Sequence, residues 1–122
     1  MNFAFICEPH YMAGELESFT KRFSELHEIN NVSADAILSG KNLEEFHGII
    51  VERRTWQKYY SLFKYFDVLN SLTRAPLAYV QKTRKADPLK GRKNQTDVNF
   101  STSADSSEIF ACIDKMMSSQ EL

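Results

Sequence analysis

The sequence is short of glycine. Only 4 of its 122 residues are glycine, and they do not cluster. Gly-x-Gly-x-x-Gly, the P-loop pattern and Gly-x-Ser-x-Gly are all absent, so nucleotide-binding and hydrolase readings have no motif beneath them. A flavin mononucleotide site of the flavodoxin type needs a Ser/Thr/Gly-rich loop after the first strand, and Glu8-Pro9-His10-Tyr11-Met12 is not one. Cysteine is equally scarce. Cys7 and Cys112 cannot build a disulfide framework, which points to a reducing compartment and a cytoplasmic location. No apolar run approaches about 18 residues, so no membrane-spanning helix is expected. The first residues lack the basic stretch and small-residue cleavage site of a signal peptide. Charge of one sign is missing too: Lys+Arg 15 against Asp+Glu 16 gives a net charge of -1. That balance speaks against a domain held to nucleic acid by bulk charge.

What is present is ordinary globular composition, 43% hydrophobic and 25% charged, in a length that suits one domain with one core. Asn2 to Cys7 is an apolar, strand-forming run that Pro9 ends. From His10 the spacing changes: Met12, Leu16, Phe19, Phe23 and Leu26 fall on one helical stripe. His27 to Ser33 reads as a short exposed strand, and Ser33 caps a brief helix that Gly40 ends. Gly48-Ile49-Ile50-Val51 is the strongest buried-strand signal in the chain. Thr55 is placed to cap the next helix, whose apolar pattern runs from Trp56 to Leu72. Ala75 to Val80 is another strand, and residues 82 to 96 are a polar, basic loop. Val98-Asn99-Phe100 is a last strand, and a helix with Ile109, Phe110, Ile113 and Met116 follows, with a polar tail at 118 to 122. Strand and helix thus alternate five times. The expected fold is a doubly wound five-stranded parallel sheet in three α/β/α layers, flavodoxin-like, its fourth helix irregular or missing.

At specific positions this pattern resembles the receiver domain of two-component response regulators. Cys7-Glu8 stands after the first strand, where the family usually has an acidic pair. Glu52 closes Phe46-His47-Gly48-Ile49-Ile50-Val51-Glu52, at the phosphoacceptor position. Gln81 stands where a Ser/Thr belongs, and Thr102-Ser103 where Lys-Pro belongs. The spacings from 8 to 52, 52 to 81 and 81 to 102 each lie within a residue or so of the family's. The resemblance implies a single receiver-like domain over 1–122, with Glu8 as its one retained metal-site carboxylate and Gln81 and Thr102 at the switch positions.

The substitutions work against receiver chemistry. Phosphotransfer there uses a carboxylate nucleophile, a Mg²⁺ ion held by neighbouring carboxylates, and a lysine over the phosphoryl oxygens. A thiol at Cys7 is a poor Mg²⁺ ligand, Thr102 removes the cation, and the extra methylene of Glu52 displaces its oxygens by about a bond length, which near-attack geometry does not forgive. No cofactor and no enzymatic activity are therefore expected. Glu52 either imitates a phosphorylated aspartate or, the preferred reading, ends a buried strand at the surface and pairs with Arg53, Arg54 or Lys82.

Two other features suggest binding. Lys82, Arg84, Lys85, Lys90, Arg92 and Lys93 form a basic stretch with one acid, Asp87, and no aromatic for base stacking. Trp56, Tyr59, Tyr60, Phe63, Tyr65 and Phe66 cannot all face inward from one helix, which leaves Trp56 or Tyr65 as an exposed anchor. The functional expectation is a phosphorylation-independent interaction module in bacterial signalling, its partner a protein or a second copy. Two alternatives stand beside it. One is a receiver still phosphorylated on Glu52. The other is a small doubly wound enzyme or ligand-binding domain with its site near Cys7, Glu8 and Glu52. A Cys7/His10 pair without a third ligand or triad member is read as a strand-end thiol and a helix-start histidine.

Overall fold

The computed structural model describes residues 1–66, 68, 76–81 and 98–118. Five strands, β1 (Asn2–Ile6), β2 (Glu28–Val32), β3 (Gly48–Glu52), β4 (Leu77–Gln81) and β5 (Val98–Ser101), form one sheet in the order β2-β1-β3-β4-β5. All four pairings are parallel. Among the described residues four helices flank the sheet: α1 (Glu15–Ser24), α2 (Ala34–Leu38), α3 (Arg53–Tyr65) and α4 (Ser106–Ser118). This is a flavodoxin-like α/β fold.

The alternation of side chains along a strand divides the core in two. Ala4, Ile6, Ile49, Val51, Leu77 and Tyr79 point to one face, where Ile37, Trp56 and Phe63 cover them. Phe3, Phe5, Ile50, Ala78, Val80 and Phe100 point to the other, beneath Phe19, Phe23, Ile109, Ile113 and Met116. Strands buried on both faces have no polar side to show, which is why β3 and β4 read as unbroken apolar runs.

Helix boundaries depart from the sequence pattern in three places. The stripe from Met12 to Leu26 is longer than its helix, because Gly14, at φ 57, interrupts the backbone and α1 starts only at Glu15. Pro9–Tyr11 form a separate 3₁₀ turn before it. Met12 and Leu26 still pack on the core from outside α1. The helix after β3 stops at Tyr65, with Phe66 as its cap; the rest of the expected pattern, Leu69 and Leu72, lies outside the described residues. Ser118 belongs to α4 rather than to a polar tail. The basic loop at 82–96, with Lys82, Arg84, Lys85, Lys90, Arg92 and Lys93, lies outside the described residues, as does the expectation of an irregular fourth helix. Among the described residues no helix is long and apolar enough to cross a membrane.

Candidate functional site at the carboxyl edge of the sheet

Parallel pairing brings the strand ends to one edge: Ile6 lies opposite Val32 and Val51, Glu52 opposite Val80, and Gln81 opposite Ser101. Open α/β sheets bind ligands at this edge. Cys7, Glu8, Glu52, Gln81 and Thr102 all arrive there, as their sequence spacing predicts.

Glu52 is the best fixed of them. β3 runs into α3 with no intervening loop, and Glu52, extended at φ -71 and ψ 131, is the residue before the first helical turn. Its side chain folds back over that turn. Oε1 accepts the Thr55 N–H at 3.0 Å and the Thr55 hydroxyl at 3.1 Å. Oε2 accepts the Arg54 N–H and the Arg54 Nε–H, both at 3.0 Å. Glu52 is therefore the helix cap, and the assignment of that role to Thr55 is corrected. A carboxylate with Glu's reach satisfies two of the otherwise orphaned N–H groups at a helix start and sits well against its dipole. The ion pair with Arg54 agrees with one of the expected pairings, but Glu52 does not end at the surface: it is 3% exposed.

Thr55, fully buried, carries the connection onward. Its Oγ1 accepts the Glu8 N–H at 2.9 Å, so the loop after β1 is tied to Glu52 through one hydroxyl. The Glu8 carboxylate turns toward α3. It accepts the Tyr59 hydroxyl and lies 3.5 Å from Lys58 Nζ and 3.4 Å from His10 Nδ1. The Tyr59 bond and these neighbours hold Glu8 below the usual carboxylate range, and the same bond pushes the Tyr59 phenol up to about 12. Above α3's first turn, the Arg54 guanidinium lies 4.0 Å from the centre of the Tyr11 ring.

The far side of the edge is closed in a similar way. Arg53 Nη1 donates to Gln81 Oε1 at 3.0 Å. Thr102 is buried, and its hydroxyl donates to Glu15 Oε2 at 3.0 Å. Arg22 of α1 donates to the carbonyls of Thr102 and Ala104 at 2.7 and 2.8 Å, clamping the turn after β5. Nothing in the sequence marks Arg22 and Glu15 for this role, since both fall on the polar side of the α1 pattern.

These donors do not suit a magnesium ion. Glu52 spends both oxygens on four donors, Glu8 faces three, and among the described residues no three His, Cys, Asp or Glu side chains gather as a metal site. Cys7 is no better. Burial, and next the Glu52 charge, push its thiol up to about 12, and its Sγ–H donates to the Glu8 carbonyl at 3.3 Å. Thiolate is the reactive form. Alkylation of Cys7 by iodoacetamide at pH 8 should therefore run at least about 100-fold slower in the folded protein than in urea, read peptide by peptide to separate Cys112. Equal rates would show that Cys7 is an accessible, ordinary thiol.

An open groove of about 640 Å³ does lie beside Cys7, on the β2 side, lined by Pro9, Met12, Asn31, Val32, Ser33, Ala36 and Lys41. Neither Glu8 nor Glu52 lines it. Of the residues expected around a ligand site near Cys7, Glu8 and Glu52, only Cys7 lines it, and the β2 residues that complete it are unremarkable in sequence. Of the two proposed aromatic anchors, Tyr65 is 81% exposed, whereas Trp56 is 1% exposed and belongs to the core, which corrects its place as an anchor. Comparison with protein-family models, curated proteins and solved structures found no match to this chain.

Proposed function

We propose that the protein is a receiver-like signalling domain that works as an interaction module and not as a phosphorylation switch. The observation that carries this reading is the state of Glu52. The side chain at the phosphoacceptor-equivalent position is buried and bonded through both oxygens to the first turn of α3. An in-line attack on a phosphoryl group needs a free carboxylate oxygen within about 3–3.5 Å of phosphorus. Freeing one would uncap α3 and strand the buried Thr55 hydroxyl. The switch-equivalent positions fit the same reading, with Gln81 held by Arg53 and Thr102 by Glu15. A fixed edge of this kind presents one constant surface to a protein partner.

Incubation with acetyl phosphate or phosphoramidate and Mg²⁺ tests the proposal. Intact-mass spectrometry should show no phosphoryl adduct, and beryllofluoride should leave the melting temperature unchanged. A stable adduct on Glu52 would overturn it and favour a receiver that still switches. A small ligand-binding domain is the second reading, supported by the groove beside Cys7.

A further inference from the structure

The outer face of α3 combines exposed cations with exposed aromatic rings. Residues 53–66 hold four cations, Arg53, Arg54, Lys58 and Lys64, and no acid. Arg54, Lys58, Ser61, Leu62 and Tyr65 recur at helical spacing and are all exposed, so they form one stripe along the helix. The stripe is graded, cationic toward its amino end and aromatic toward its carboxyl end. Leu62, Tyr65 and Phe66 are 42%, 81% and 53% exposed. The Tyr65 and Phe66 rings meet edge to face at 5.0 Å and 79°, which gives the aromatic end a defined shape.

Two of the four cations are ion-paired within the chain, Arg54 with Glu52 at 3.0 Å and Lys58 with Glu8 at 3.5 Å. An acidic partner would have to compete with those carboxylates. What the cations still offer is the open face of the Arg54 guanidinium, whose other face covers Tyr11, and the alkyl stem of Lys58. Aromatic rings are the natural complement of both, and the same stripe supplies them. A surface that complements itself when reversed is what a two-fold interface requires.

We propose that a second copy of this chain docks here, α3 antiparallel to α3, about a two-fold axis passing between Lys58 and Leu62. Arg54 of each copy then lies under Tyr65 and Phe66 of the other, and the Lys58 stem lies on Leu62 of the second copy. Ser61, small and exposed near the centre, lets the helices approach closely. One helix pair about 20 Å long is a small interface, so the dimer is weak, forming at roughly tens to hundreds of micromolar. The assembly does not depend on whether Glu52 can be phosphorylated.

Sedimentation equilibrium of the full chain from roughly 5 to 500 µM tests this. The weight-average mass should climb from 14.1 kDa toward twice that value. Tyr65→Glu should raise the concentration needed at least tenfold with no change in melting temperature. Phe110→Glu, which alters the exposed aromatic of α4 on the opposite side of the sheet, should have no effect. A monomer at every concentration, or a dimer that survives Tyr65→Glu or is lost with Phe110→Glu, would overturn the proposal.

Discussion

Glu52→Ala should lower the unfolding free energy by about 2–4 kcal/mol, an unusually large loss for a charged residue at a strand end. Losing a helix cap costs about 1 kcal/mol and at most about 2. Here the same side chain also pairs with Arg54 and is the acceptor for the buried Thr55 hydroxyl and N–H. Alanine would leave those donors facing a space without an acceptor, and an unsatisfied buried polar group costs about 1–3 kcal/mol. The contributions overlap, since one carboxylate makes all four bonds, so the total falls short of their sum. At this chain length the melting temperature should drop by roughly 10 °C. Urea unfolding followed by circular dichroism gives the measurement, with an unchanged m-value to show that the loss is one of stability. Glu52→Gln keeps the reach and one acceptor oxygen, and should cost about half as much. An alanine variant as stable as the parent would mean that the cap contributes nothing, and the main argument for an inert edge would go with it.

The sheet was legible in the sequence for a reason that does not extend to its edge. Gly48-Ile49-Ile50-Val51 and Leu77-Ala78-Tyr79-Val80 are buried on both faces, so their apolar character is continuous and their spacing sets the strand order's raw material. Helix limits are decided by single residues: Gly14 sets the start of α1 by its backbone conformation, and no periodicity of apolar residues can show that. The residues singled out by spacing do lie at the strand ends, but spacing does not show which partners they bond. That Glu52 caps α3 follows from the absence of a loop between β3 and α3, and spacing cannot distinguish a strand end exposed to water from one folded under a helix. The metal-site position of Glu8 is what the resemblance to receiver domains implies, and spacing alone does not show what its carboxylate touches. Its actual partners, Tyr59 and Lys58, come from a helix far along the chain. Arg22 and Glu15 hold the turn after β5 across a still longer separation, and nothing local to either residue announces it.

The six aromatics between 56 and 66 lead to the second large expected effect, Trp56→Ala, a loss of about 3–5 kcal/mol. The helix divides these residues by its period. Trp56 and Phe63 turn inward, with Tyr59 and Tyr60 at the margin, while Tyr65 and Phe66 face out. Trp56 is in ring contact with Tyr60 at 5.8 Å and Phe63 at 6.1 Å, and meets Tyr79 of β4 edge to face at 5.8 Å and 76°. It thereby ties α3 to β4. Truncation removes the largest buried side chain of this face and leaves a cavity that rigid strands on one side cannot collapse to fill. Trp56→Phe keeps a ring in contact with Tyr79 and should cost about 1–2 kcal/mol. Tyr65→Ala, on the same helix but solvated, should stay within about 0.5 kcal/mol of the parent when measured at low micromolar concentration. Urea unfolding followed by circular dichroism orders the three variants without relying on the fluorescence of the single tryptophan that two of them remove. If Tyr65→Ala were the costlier change, α3 would have to be rotated about its axis, with Trp56 outside, and both the capped edge and the self-complementary stripe would need to be redrawn.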